Sequence, residues 1–485
     1  MVKNRGRLQT WKQEYGKLLA VLSVFTVLQA VILALRWDRA LVWDSTVYIG
    51  MGKHLYTLGE IGLYESFRPP IIPLLIGAIW KTGLFFPNLA RITAVIISAT
   101  GLTVFYSMVR AEFKQKTALY ASAILASSFI YLRWSHYLLT GIPSAILAFT
   151  AIYYARNQKP VISGLAASLA FLTRFPAALA APAAGITYIL TRVPLKDVMN
   201  LRFDTDDFVQ VAGEGLKMAV SFSVLPVIYF SLNYFYGNSF LSPLLSGASV
   251  PLLNPDKYLY GLYFLKEAVI TNPLMIFALP GIYFVLRKKE EKAYGYVTGL
   301  ALFYTFFTVY PHKEPRFMIL FLPVLSLFAG IGLQRLELPA FEDVLDGFTV
   351  SRGSLVLLAA GAVMLVNGVQ LVQMNTWSNP ERNDFLRETS KLNGTVAGLH
   401  PAPVVYGNFD FIAVRPEHYE NTTERAFRQA DYFVYNSAAW YCAPAIQNCR
   451  EKQDQLVERL EQHNKIFETS RSKQSYRIYE VGKIK

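Results

Sequence analysis

Repeated apolar runs of roughly 17–22 residues, separated by short basic segments, constrain this chain more than any other feature. A helix of that length satisfies its own backbone and spans a hydrocarbon core. Hydrophobic residues make up 53% of the 485 positions and charged residues only 17%, against about 25% charged in soluble domains. The chain therefore reads as an α-helical polytopic membrane protein. A net charge of +13 would suggest nucleic acid as the partner of a soluble protein. Here it is the Lys/Arg excess of cytoplasmic loops. No soluble stretch carries the long basic stripe that nucleic-acid binding needs.

Lys3, Arg5, Arg7, Lys12 and Lys17 precede the first apolar run and place residues 1–17 in the cytoplasm. That run, 18–36, is too long for a signal-peptide core and no small-residue cleavage site follows, so it reads as a retained span. Residues 37–88 then form a large first outer loop. Within it, 71–80 is apolar but short and reads as an interfacial or re-entrant helix. Later spans are expected near 89–109, 117–134, 138–155, 216–236, 317–334 and 354–373, with two more ending at Arg287 and Tyr310. The stretch 161–191 reads as two half-length helices broken at Arg174-Phe175-Pro176 on the outer side. This arrangement gives about 11 spans within 18–373 and puts nearly every basic loop inside. The acids Asp204, Asp206 and Asp207 read as part of a solvated cytoplasmic loop.

Residues 374–485 turn soluble in composition. Apolar and aromatic runs at 404–406, 411–414, 432–435, 466–467 and 476–479 read as strands. Leu456, Val457 and Leu460 stripe a helix of about 450–464. A small α/β domain is expected, placed outside the cytoplasm by the odd number of spans. Cys442 and Cys449 have no neighbouring His and are too few for a zinc site. They read as a local disulfide in an oxidising compartment.

Three outer segments carry the candidate chemistry. They are Asp44 in Trp43-Asp44-Ser45-Thr46-Val47-Tyr48, Arg174 at the broken hairpin, and His312-Lys313-Glu314-Pro315-Arg316-Phe317. One carboxylate that accepts a proton and several cations that hold a phosphate are what group transfer from a phosphate-linked donor to a hydroxyl requires. Asp44 is the expected base. Arg174, Lys313, Arg316 and His312 are the expected phosphate ligands, with Arg68, Glu314, Tyr48 and Tyr258 in support. Plainer readings stand beside these. Asp44 also fits a loop acid or helix cap, with Glu314 or Glu65 then the base. Arg174 fits a snorkelling residue, Glu314 a partner for Lys313 or Arg316, Arg68 a structural residue before Pro69-Pro70, and His136 an interfacial one.

The order of a span, an acidic outer loop, a Pro-Pro-initiated apolar helix, Phe171-Leu172-Thr173-Arg174-Phe175-Pro176 and an outer tail resembles the GT-C membrane glycosyltransferases. It is similar to their protein O-mannosyltransferase and aminoarabinose-transferase branch. The 312–317 segment also resembles the His-Lys-Glu-x-Arg-Phe motif of dolichol-phosphate-mannose-dependent mannosyltransferases. The resemblance implies a polyprenyl- or dolichyl-phosphate monosaccharide donor, with mannose the first expectation. It also implies a glycan, lipid or protein hydroxyl as acceptor, inversion at the anomeric carbon, and Asp44 as the first-loop acid. Many relatives carry a second acid directly after the first, where this chain has Ser45, and another near 139–143, where it has none. Metal-independent transfer without a cofactor is therefore expected, with a divalent cation left open. The Trp-Trp-Asp-Tyr-Gly signature of oligosaccharyltransferases is absent. The alternatives are a secondary transporter, marked by paired broken helices where one clear break is read here, and a non-catalytic membrane scaffold that presents its tail.

Overall fold

The computed structural model describes residues 2–200, 205–235, 239–249, 261–336, 352–374, 380–440, 442, 446–471 and 474–482. Tyr258 lies outside the described residues.

The chain is mostly helical. It begins with α1 (Val2–Leu35), α2 (Trp43–Tyr56), α3 (Ile71–Lys81) and α4 (Pro87–Glu112). Among the described residues, four helices are long and apolar enough to cross a membrane unaided: Gly16–Leu35, Pro87–Glu112, Phe208–Phe235 and Gly353–Gln373. The expected count of about eleven spans is not confirmed. Several of the remaining segments are divided. The expected span at 117–134 breaks at Ser128, whose backbone is extended between helices Gln115–Ser127 and Phe129–Trp134.

Among the described residues, three further breaks share one construction, where the sequence showed one. Arg174, Asn272 and Glu314 are each extended. Each leads into a 3-10 turn with a proline in its first two positions: Phe175–Leu179, Pro273–Phe277 and Pro315–Leu320. A residue directly before proline is driven from the helical to the extended region, as Asn272 and Glu314 are. Freed backbone groups need partners at such depth. At the middle break, Asn272 Nδ2 donates to the Ile124 carbonyl at 2.9 Å and to Ser127 Oγ at 3.0 Å, and Asn272 Oδ1 accepts from the Leu274 amide at 3.1 Å. Asn367 Nδ2 donates to the carbonyls of Ser127 and Thr271 at 2.8 and 2.9 Å.

The C-terminal region folds around a five-stranded sheet. Its strands are β1 (Thr395–Gly398), β2 (Asp410–Ala413), β3 (Tyr432–Asn436), β4 (Asn464–Arg471) and β5 (Gln474–Glu480), in the order β2-β1-β3-β5-β4. The first three run parallel, and β5 and β4 are antiparallel to their neighbours. Side chains alternate between faces along each strand. Ala397, Ile412, Phe433 and Tyr479 pack on one face against Ala426, Phe427, Leu456 and Leu460 of the covering helices. Val396, Phe411, Val434 and Ile478 form the other face, and Val47, Met51 and Leu63 of the 37–88 segment share their core. Cys442 and Cys449 form a disulfide.

Residues 404–406, read as a strand, belong instead to a short helix, Ala402–Tyr406. Pro401 and Pro403 explain the difference. Proline fixes φ and lacks the amide that a ladder needs, yet suits a helix start. The neighbouring strand β1 was not foreseen.

The 37–88 segment is itself ordered by α2 and α3, which approach closely. A Cβ on Gly52 would sit 2.8 Å from the Gly77 amide nitrogen, so only glycine fits there. Gly62, at φ +103°, then runs beside β2. Its amide donates to the Phe409 carbonyl at 2.9 Å, and its carbonyl accepts from the Phe411 amide at 2.8 Å. The helix α3 has 11 residues, or roughly 16 Å at 1.5 Å per residue, too short for a 30 Å core.

Candidate active site

Asp44 stands in the first turn of α2, where the helix dipole favours a carboxylate. Ser45 points the other way. It is fully buried and donates to the Leu138 carbonyl at 3.1 Å, pinning the start of α2 to the segment before helix Gly141–Arg156. A side chain at position 45 therefore packs inward, which gives a physical account of why no acid stands beside Asp44.

Both oxygens of Asp44 are held by guanidinium groups. Oδ1 lies 2.9 Å from Arg68 Nη1, and Oδ2 accepts from Arg316 Nη1 at 2.8 Å. Burial pushes the carboxyl pKa up, but the positive fields of Arg68 and Arg316 outweigh it, and the pKa settles at about 2. Arg68 rests over the rings of Tyr48 and Phe67, with its central carbon 5.4 and 5.3 Å from their centroids. Its Nε bonds Glu65 Oε2 at 2.5 Å. On the other side, Glu314 Oε1 accepts from Arg316 Nη2 at 3.1 Å and lies 2.9 Å from His312 Nε2.

Arg174 differs from these. Its guanidinium carbon sits 5.5 Å from the centroid of the Phe317 ring, close enough to Asp44 for its charge to help lower that carboxyl pKa. Its side chain makes no hydrogen bond or ion pair among the described residues. Phe317 also lies under Arg316, at 5.8 Å. The break at Arg174 and the break at Glu314 thus present two guanidinium groups over one ring.

Lys313 turns elsewhere. Its Nζ donates to the Phe307 carbonyl at 3.1 Å and to the Tyr310 carbonyl, closing the end of helix Glu291–Val309. Glu314 pairs with Arg316 and His312. His136, expected at the interface, is buried, with its ring centroid 4.4 Å from that of Tyr137. Among the described residues no group of three or more His, Cys, Asp or Glu side chains gathers to hold a metal ion.

Two partners escaped the sequence reading. Arg415 Nη2 bonds Glu65 Oε1 at 2.5 Å, and buried Lys53 donates to the Val404 and Gly407 carbonyls at 2.8 Å each. Lys53 lies nine residues beyond Asp44 on α2, and a lysine inside an otherwise buried helical stretch was the available signal. Arg415 offered none.

No curated protein matches the sequence. The fold is similar to that of ArnT from Cupriavidus metallidurans bound to undecaprenyl phosphate, with TM-score 0.67 and 14% identity over 96% of this chain and 98% of that one. It is also similar to the Archaeoglobus fulgidus oligosaccharyltransferase in the apo form, with TM-score 0.56 and 14% identity over 88% of this chain and 70% of that one. Arabinofuranosyltransferase AftD from Mycobacteria gives TM-score 0.53 and 13% identity over 94% of this chain and 40% of that one. At such identities the likeness shows the fold alone. The Alg9-like mannosyltransferase family model matches residues 8–377. The chain is a membrane glycosyltransferase of GT-C architecture and belongs to the Alg9-like mannosyltransferase family.

Proposed function

We propose that the protein transfers one sugar, mannose, from a polyprenyl- or dolichyl-phosphate donor to a hydroxyl of a glycan, lipid or protein, with inversion and at the extracytoplasmic face. Residues 1–17 are cytoplasmic, 18–373 form the membrane domain and 374–485 lie outside. The Lys/Arg bias of the loops supports that orientation, and the Cys442–Cys449 disulfide suits an oxidising compartment.

The observation that carries the donor assignment is that Arg174, beside an already paired cluster, makes no side-chain ion pair among the described residues. Among the described residues, the carboxylates of Asp44, Glu65 and Glu314 meet the guanidinium groups of Arg68, Arg316 and Arg415 in ion pairs, and Arg174 adds a further positive charge beside them. The excess suits one phosphodiester anion. Guanidinium forks match phosphate oxygens well. The solved complex of the structurally similar ArnT with undecaprenyl phosphate supports a lipid-phosphate donor.

In the transfer, the acceptor oxygen forms a bond to the anomeric carbon while the bond from that carbon to the phosphate oxygen breaks. The electron pair leaves on the phosphate, so polyprenyl phosphate gains a second negative charge. Arg174 and Arg316, with His312 nearby, stabilise that charge where it develops. Asp44 takes the acceptor proton. One displacement assisted by one base inverts the centre. A carboxylate with pKa about 2 is a weak base while two guanidinium groups hold it. Donor phosphate competes for those groups, and the freed oxygen gains basicity. Ser45 stands where a second first-loop acid would complete a metal site, so the reading is of metal-independent transfer.

Binding of polyprenyl phosphate by purified protein in detergent tests the donor site. Loss of one charge-assisted contact worth about 1.5–3 kcal/mol weakens affinity roughly 10- to 150-fold, and Arg174→Ala is expected to show it. Unchanged affinity in that variant removes the phosphate assignment.

A further inference from the structure

The C-terminal domain is joined to the loop that carries Asp44 by contacts of three kinds. The first is apolar. Val47, Met51 and Leu63 lie in one core with Val396, Val404, Phe409 and Phe411, and each such side chain contributes about 1.5–3 kcal/mol when fully buried. The second is the backbone pairing of Gly62 with Phe409 and Phe411. The third is charge. Lys53, 2% exposed, donates to carbonyls at the end of helix Ala402–Tyr406, where the dipole favours a cation. Burial lowers its pKa to about 8, so it remains charged at neutral pH.

The contact between Arg415 and Glu65 does something these do not. The Glu65 side chain is 3% exposed, and each of its oxygens meets a different guanidinium. Oε1 takes Arg415 Nη2 and Oε2 takes Arg68 Nε, both at 2.5 Å. Arg68 then uses its other edge, Nη1, on Asp44 at 2.9 Å. A guanidinium is a rigid planar fork, so fixing Nε aims Nη1. A glutamate held at one oxygen can still turn about its broad terminal torsion. Arg415 removes that freedom. It packs in turn over Phe67, with its central carbon 5.2 Å from the ring centroid, on the face of a residue that Arg68 also covers.

We propose that Arg415 is a positioning residue for sugar transfer: through Glu65 and Arg68 it sets the orientation of the Asp44 carboxylate, which makes the C-terminal domain a working part of the active site. The inference rests on Asp44 as base. It distinguishes Arg415 from Lys53, which fastens the same domain without touching Arg68.

Cryo-EM structures of Arg415→Ala and Lys53→Met test the geometry, and turnover of labelled dolichyl-phosphate mannose tests the consequence. In Arg415→Ala, Arg68 Nη1 is expected to leave Asp44 by about an ångström or more, a misplacement that can cost roughly 10²-fold in rate. Affinity for polyprenyl phosphate falls by less than the roughly 10- to 150-fold expected of Arg174→Ala, because Arg174 and Arg316 are untouched. Arg415→Lys restores most of the rate, since the contact is one nitrogen to one oxygen. Lys53→Met lowers the melting temperature and leaves the Asp44–Arg68 contact intact. An unchanged Asp44–Arg68 contact in Arg415→Ala overturns the positioning role, as does a rate loss that merely parallels melting in both variants. A displaced Arg68 in Arg415→Ala together with an active Asp44→Asn overturns the base assignment instead, so the two failures are told apart.

Discussion

The breaks at Asn272 and at Arg174 have the same backbone and opposite chemistry. Each is an extended residue followed by a 3-10 turn and a helix. At Asn272 the opening is sealed. Its side-chain nitrogen and oxygen are both bonded, and Asn367 caps the neighbouring carbonyls. At Arg174 the opening is filled by a guanidinium that makes no side-chain hydrogen bond or ion pair among the described residues. A neutral amide closes a broken helix; an unpaired cation leaves it ready for an anion. The break is thus a property of the scaffold, and the residue placed at it decides whether the site is structural or functional.

The largest effect expected lies on the open side. Asp44→Asn retains donor binding and loses turnover by about 10²–10⁴-fold, the usual contribution of a general base. Labelled sugar transfer by the purified variant checks this, and wild-type turnover moves the base to Glu314 or Glu65. The same carboxylate also has a stability signature. Its folded pKa of about 2 lies below the ordinary aspartate value of 3.8, so its ion pairs stabilise the donor-free protein above pH about 4. That increment, about 2 kcal/mol by linkage, is lost as pH falls through 2. Melting curves of wild type and Asp44→Asn should therefore converge in acid.

The sealed side should behave in the opposite way. Asn272→Ala strands Ser127 and the Leu274 amide, at a cost of about 1–3 kcal/mol in stability for an unmade buried bond. Polyprenyl phosphate affinity should remain within about twofold. Thermal unfolding and binding, measured on the same sample, separate the two. A large affinity loss with normal stability would erase the contrast between the breaks.

Much of this was legible in the sequence because charge is rare in an apolar chain. Asp44, Arg174 and Arg316 stood out for that reason, and the structure brings them together. The Cys442–Cys449 bond was legible because two thiols with no neighbouring His are too few for a zinc site. The helix interruptions were read less well. Asn272-Pro273 is a local signal of the same kind as Arg174-Phe175-Pro176, but the apolar run around it concealed it. The 404–406 segment misled because β-branched residues outweighed the two prolines beside them. The contact of Arg415 with Glu65 spans 350 positions. No local pattern encodes it, since it arises only when the 37–88 segment pairs with the edge of the sheet.

A structure with bound polyprenyl phosphate tests the central claim most directly. The account predicts the phosphate between Arg174 and Arg316, over Phe317, with at least one oxygen of Asp44 released from its guanidinium partner. A phosphate seated away from Arg174, with both Asp44 ion pairs intact, would contradict it.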